Sequence, residues 1–135
     1  MFINNRIVAS LIFTGFCFAA KAGMADHIDC SALHAAAFFD EPTELSALLH
    51  PGVDLDCRDT LKQTPLITAT QGASLDVVKM LLELGVSINA RDEIGQTALL
   101  KARQKLAFFD MEGGQKYRHL YQEMIDILER AGATE

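Results

Sequence analysis

The sequence predicts an all-α repeat fold (α-solenoid) made of about three antiparallel helix pairs. A shift of 33 residues lays residues 31–33 and 97–99 on residues 64–66, and many other positions also agree. Within each unit the apolar residues recur at helical spacing, and the unit closes at a glycine. One helix pair cannot bury its apolar face alone, so neighbouring pairs are expected to stack.

The second repeat, residues 59–91, shows the pattern most fully. Thr64 is placed to cap a helix, and Pro65 falls in the first turn, where its missing N–H costs nothing. A second apolar run follows and stops at Gly85, a residue free to adopt a positive φ. Two short antiparallel helices are therefore expected in this repeat.

The first repeat, residues 26–58, follows the same plan with changes at its turns. Ser31 is expected to cap its first helix, and Pro42 fits the first turn of its second helix. Asp40 and Glu41 stand between the two helices, so an altered turn is expected there.

The third repeat, residues 92–135, departs most, because 14 residues are added before its final helix. The addition keeps helical apolar spacing, which predicts that both helices have grown by about two turns. The long hairpin is interpreted as a cap on the stack; the alternative is a docking projection. Its basic residues, which would steer an acidic partner, are Lys101, Arg103, Lys105, Lys116 and Arg118.

The turn before the first helix of a repeat contains a glycine in the third repeat but not in the second. Lys62 occupies the position that Gly95 holds one repeat later, so strain or a different turn type is expected at Lys62.

The 33-residue period, with Thr-Pro-Leu at 64–66, Val-Val-Lys at 77–79 and Asn-Ala at 89–90, resembles the ankyrin repeat. The resemblance covers about residues 26–133. It implies β-hairpin fingers between the helix pairs, with residues 23–29 forming half of such a finger. It also implies a protein that binds a folded protein partner through its concave face.

By the same resemblance, the variable contact positions of the family fall on Phe38, Phe39, Thr60, Leu61, Gln63, Gln71, Glu93, Ile94, Gln96, Gln104 and Lys105. Four of these are large and apolar, so an exposed apolar strip rimmed by charge would mark an interface. The alternative is that Phe38 and Phe39 turn into the core beneath the altered turn.

Residues 1–22 are interpreted as a signal peptide and residues 23–135 as the repeat domain. A short basic start is followed by an apolar run over 7–20 and by small residues around a possible cleavage site. A membrane anchor is the alternative, but 14 residues are short for a hydrocarbon core of roughly 30 Å. A lipoprotein signal fits less well, because a bulky residue precedes Cys17. We expect a periplasmic protein that begins near Gly23.

Removal of the leader leaves 10 basic and 18 acidic side chains, a net charge of −8. This charge argues against nucleic acid and anionic membranes as partners, and no membrane insertion is expected after cleavage. The mature protein is expected to be a monomer.

Cys30 and Cys57 remain in a compartment that permits disulfides. In the fingers implied by the resemblance, they fall on neighbouring strands about 4.8 Å apart, within the reach of bridged cysteines. A disulfide and two free thiols both remain open.

No pattern in the sequence supports catalysis. The four histidines, His27, His34, His50 and His119, show no metal-ligand spacing, and His34 takes a structural role in the ankyrin family. Nucleophile elbows, phosphate loops and dinucleotide fingerprints are missing. We expect no enzyme, no cofactor and no metal, and favour a periplasmic protein-interaction module. The alternatives are an immunity protein that neutralises a periplasm-acting toxin and a scaffold in an envelope assembly.

Overall fold

Six helices form the part of the chain described by the computed structural model, which gives the backbone of residues 25–135 and the side chains of residues 30–111 and 113–135. They are α1 (Ala25–Phe38), α2 (Pro42–Ala47), α3 (Pro65–Gln71), α4 (Leu75–Glu83), α5 (Ala98–Glu112) and α6 (Gln115–Arg130). The prediction of a helical repeat fold is confirmed for these residues. The predicted signal peptide, residues 1–22, lies outside them.

The helices pack in two layers. The first helices of the repeats, α1, α3 and α5, stack side by side, and the second helices, α2, α4 and α6, stack against them. Leu33, Leu66 and Leu99, each 33 residues apart, are all buried in one continuous core. The sequence period is thus also the packing period, as the physics of stacked repeats requires.

Helices α3 and α5 begin as the sequence predicts. The side chains of Thr64 and Thr97 accept hydrogen bonds from the N–H groups of Ile67 and Leu100, three residues on. These bonds satisfy donors that the first turn of a helix leaves open. At the other end of the second repeat, α4 stops just before Gly85, which has φ +78°.

The first repeat begins differently from the prediction. Helix α1 already starts at Ala25, so residues 25–29, expected in half of a β-finger, are helical. Ser31, expected at the cap, lies inside the helix and is exposed. Where α3 has Pro65, α1 has Ala32, and no proline keeps the preceding residue out of the helical region. The helix therefore continues upstream, and both expectations were wrong.

Turns replace the expected β-hairpins in the fingers of the described residues, which contain no strand. In the finger of the second repeat, the N–H of Asp59 donates to the carbonyl of Gln63 at 3.1 Å. Asp92 and Gln96 form the same bond at 3.0 Å in the third repeat. Each finger is therefore closed by a tight turn whose arms are too short for a ladder.

The junction between the first two repeats explains the altered turn at Asp40 and Glu41. Asp40 adopts φ +54°, and its carboxylate accepts a hydrogen bond at 3.0 Å from the N–H of Val77 in the first turn of α4. A Cβ at Gly72 would collide with the carbonyl oxygen of Phe38, so only glycine lets the ends of α1 and α3 come this close. The turn residues of one repeat thus cap a helix of the next.

The terminal hairpin has grown as predicted. Helices α5 and α6 have 15 and 16 residues, against 7 and 9 in α3 and α4. Gly113 ends α5 with φ +73°. Phe109 of α5 stacks on Tyr117 and Tyr121 of α6, with ring centroids 4.9 and 5.8 Å apart. Among the described residues, no helix has the length and apolar character needed to cross a membrane.

Candidate functional site

The turn tips of the second and third repeats lie side by side. The carboxylate of Asp59 accepts the N–H groups two and four residues on at 2.9 and 2.8 Å, and Asp92 does the same at 3.1 and 2.8 Å. These bonds shape both turns in the same way. The N–H of Glu93 donates to the carbonyl of Leu61 at 3.0 Å, which joins the tips. Leu61 is 54% exposed and Ile94 is 72% exposed.

Two arginines hold these tips through hydrogen bonds to backbone carbonyl groups. The guanidinium of Arg58 donates to the carbonyl oxygens of Lys62 and Arg91 at 2.7 and 2.5 Å. Arg91 repeats the arrangement with the carbonyls of Gly95 and Glu135 at 2.7 and 2.8 Å. Neither arginine was predicted as a functional residue, although their spacing of 33 residues is a signal that the sequence contains.

Asp92 differs from Asp59 by an ion pair. The Nζ of Lys101 lies 2.9 Å from its carboxylate, and both side chains are largely buried. Burial alone would raise the pKa of Asp92, but the N–H of Gln96, the hydrogen bond and charge of Lys101 and the N–H of Ile94 together lower it. The third repeat's turn is therefore held by a carboxylate that stays ionised.

A second exposed apolar group lies at the end of α1. Phe38 is 45% exposed and Phe39 69% exposed, and their rings meet edge to face with centroids 5.3 Å apart. The alternative that both rings turn into the core is wrong. The altered turn directs its own residue, Asp40, to the next repeat and leaves the rings in solvent.

The structure divides the predicted contact residues into two groups. The fingertip patch consists of Thr60, Leu61, Glu93 and Ile94, all exposed. The other exposed contact residues lie on helices: Phe38 and Phe39 at the end of α1, and Gln104 and Lys105 in the middle of α5. Between the two groups, residues 65–70 of α3 are buried, and the seven residues of this helix separate its ends by about 10 Å.

Three predicted contact residues are less exposed to a partner than the other eight. Gln63 is only 5% exposed, so its expected place on the contact surface is wrong. Its backbone closes the turn on Asp59, and this draws the residue beneath the tip. Gln71 and Gln96 are half-buried.

The basic cluster of the terminal hairpin is partly neutralised. Lys101 pairs with Asp92, Arg103 with Glu129 and Glu135, and Arg118 with Asp110. The exposed pairs of Arg103 and Arg118 contribute little stability, but all of these pairs reduce the field that would steer an acidic partner.

His34 has the predicted structural role. Its Nδ1 lies 2.7 Å from Oγ1 of Thr68, and its Nε2 lies 3.3 Å from the carbonyl oxygen of Cys57. Burial lowers the pKa of His34 and outweighs the Cys57 carbonyl and the Asp59 charge, which raise it. A neutral ring thus ties α1 to the loop before the second repeat and to helix α3 of that repeat.

The same ring lies beside both cysteines, an arrangement that was not predicted from the sequence. Cys30 and Cys57 are at disulfide distance, with Cα atoms 5.9 Å apart. Their sulfur atoms and a ring nitrogen of His34 all lie within 4.8 Å of one another. Cys30 lies on α1 and not on a strand, so it is one helical turn from His34.

The family model described as ankyrin repeats (3 copies) matches residues 33–107, more than half of the chain. The chain belongs to the ankyrin repeat family. Ankyrin repeats are generally protein–protein interaction modules, and the family is typically a non-enzymatic scaffold. No curated protein sequence matches this ankyrin chain.

Proposed function

We propose that this ankyrin chain is an exported, periplasmic protein-interaction module that binds a folded protein partner through its concave face. The observation that carries the proposal is the exposure of four large apolar side chains at the family's contact positions, Phe38, Phe39, Leu61 and Ile94. The stability of the fold does not require apolar side chains at turn tips, where solvent favours polar ones.

The fingertip patch is the proposed centre of the interface. Leu61 and Ile94 are its apolar anchors, and the exposed charged side chains of Lys62 and Glu93 stand next to them. An apolar centre with a polar rim is the usual anatomy of a protein interface. Hydrogen bonds from backbone N–H groups to the carboxylates of Asp59 and Asp92 hold the tips in shape, so little conformational entropy is lost on binding.

The periplasmic location rests on the signal-peptide pattern of residues 1–22 and is supported by two cysteines at disulfide distance. Two narrower functions differ only in the partner: an immunity protein would capture a toxin, and a scaffold would capture an envelope component. Mass spectrometry of the captured partner separates them.

The test is capture of the partner from periplasmic extract by tagged residues 23–135. Changing Leu61→Ser and Ile94→Ser together should weaken binding at least thirtyfold, since one anchor at an interface centre is worth about 2 kcal/mol. Both side chains are exposed, so the thermal midpoint should stay nearly unchanged.

A matched control changes two other exposed apolar side chains, Phe108→Ser and Met111→Ser at the tip of the terminal hairpin. This variant should retain the partner. Loss of capture by the control with retention by the fingertip variant would move the interface to the hairpin and contradict the proposal.

A further inference from the structure

Three metal-binding side chains meet at the junction of the first two repeats. We propose that Cys30, His34 and Cys57, with both thiols reduced, form a binding site for Zn²⁺. Two thiolates and an imidazole are a ligand set that this ion accepts, with the fourth tetrahedral position left to water.

The backbone already brings the ligands together. Cys30 and His34 stand four residues apart on α1 and so share one face of the helix. Cys57 comes from the loop before the second repeat, with its Cα 5.9 Å from that of Cys30. The three ligand atoms lie within 4.8 Å of one another, whereas Zn–S and Zn–N bonds of about 2.3 and 2.1 Å place them about 3.5 to 3.8 Å apart. Side-chain movements of about 1 Å complete the site.

Thr68 is the partner that frees the imidazole for the metal. The carbonyl of Cys57 can only accept, so Nε2 of His34 carries the proton in the present arrangement, and the Thr68 hydroxyl donates to Nδ1. A hydroxyl can also accept. The proton can therefore reside on Nδ1, still bonded to Thr68 Oγ1, and leave the Nε2 lone pair for the cation, as in metal sites whose histidine is held by a second hydrogen bond.

Charge and access both suit a cation. Asp59 acts electrostatically on His34 from the adjacent turn, and the guanidinium of Arg58 is engaged by the carbonyls of Lys62 and Arg91. Cys30 and Cys57 are half-buried and His34 is 9% exposed, so the two cysteines give the ion its route from solvent.

Disulfide and metal are alternative states of the same pair. A dithiol reductant supplies two electrons and two protons to the bridge and is itself oxidised to a disulfide, which leaves two Cys thiols. Zn²⁺ then replaces the two thiol protons, which pass to water, so that the metal is bound by two thiolates. In the oxidised state both sulfurs are occupied by their bond to each other, and the site does not form.

The test uses residues 23–135, reduced with a phosphine under anaerobic conditions, and Co²⁺ as a spectroscopic probe. We expect one Co²⁺ per chain with a thiolate charge-transfer band and tetrahedral d–d bands, and full displacement by Zn²⁺. The oxidised chain should show neither band. Equal binding by the Cys30→Ser/Cys57→Ser variant, or no stoichiometric binding by the reduced chain, would overturn the proposal.

Two single variants test the histidine. Thr68→Val keeps all three ligands and should weaken the affinity for Zn²⁺ about 10- to 100-fold, the usual effect of losing such a supporting bond. His119→Gln, which changes an exposed histidine on α6, should leave the affinity unchanged. Full affinity in Thr68→Val, or an equal loss in His119→Gln, would contradict coordination by His34. Circular dichroism checks that each variant is folded.

Discussion

Lys62 and Gly95 hold the same position in consecutive turn tips. Both have positive φ, +56° and +80°. The left-handed region costs a residue with a Cβ roughly 1–2 kcal/mol, and glycine avoids this cost. A Cβ at Gly95 would meet no atom within 4 Å, so the two positions differ in backbone energy and not in packing. Lys62 is thus a place where the fold carries a small local strain.

Replacing Lys62→Gly should stabilise the protein by about 1 kcal/mol, because relief of the left-handed strain exceeds the added entropy of the unfolded chain. Gly95→Lys should destabilise it by a similar amount. Urea unfolding at constant m-value measures both. Lys62→Ala is the control for loss of the charge and should bring no gain; equal stability of the Gly and Ala variants would show that strain is not the cause.

At the scale of elements, an aromatic stack lies between the two helices of the terminal hairpin. Phe109 lies between α5 and α6 against Tyr117 and Tyr121, and Tyr121 is 1% exposed. Burial, and next the charge of Tyr117, raise the pKa of Tyr121 to about 12. Phe108, its neighbour in sequence, is 56% exposed. The two rings meet edge to face with centroids 5.3 Å apart, so Phe109 is the packed member and Phe108 the exposed member of one pair.

Phe109→Ala should lower the free energy of unfolding by about 2 kcal/mol, through lost burial and lost ring contacts. Phe108→Ala should change it by less than about 0.5 kcal/mol, as exposed substitutions do. Thermal and urea unfolding compare the two. A large loss at Phe108 with none at Phe109 would contradict the hairpin packing described above.

The elements that the sequence predicted well are those whose boundaries are set by neighbouring residues. Thr64, Pro65 and Gly85 act within one turn of the chain, so their effect could be read from the pattern. The start of α1 was predicted too late, although its signal is also local: no proline stands at Ala32 to keep Ser31 out of the helical region. The burial of Gln63 could not be predicted from the local pattern, since it depends on the turn closing onto Asp59. The contact of His34 with the cysteines was not predicted for a related reason: the family resemblance implies a strand at Cys30, whereas Cys30 lies on α1.

At the scale of the whole molecule, export and disulfide formation can be tested on the same sample. The proposed export predicts that protein recovered from the periplasm begins near Gly23 and is two hydrogens lighter than its reduced form. A bridge between Cys30 and Cys57, 27 residues apart, should stabilise the fold by about 3 kcal/mol. Intact mass, followed by thiol labelling after denaturation without reductant, tests both points. The same chain after reduction is the control and should take two labels.

Two outcomes would contradict these expectations. Residues 1–22 retained in a membrane fraction would reject the signal peptide, and two labelled thiols in the unreduced protein would reject the bridge.

The capping of one repeat by another also determines how the molecule comes apart. The N–H of Val77 is bonded to Asp40 of the preceding repeat, and the N–H of Ser87 is bonded to Asp56 in the same way. If the first repeat frays, α4 loses a capping bond at the same moment. Nearest-neighbour coupling of this kind makes unfolding of short repeat arrays nearly all-or-none, so amide hydrogens in all three repeats should exchange through a common opening.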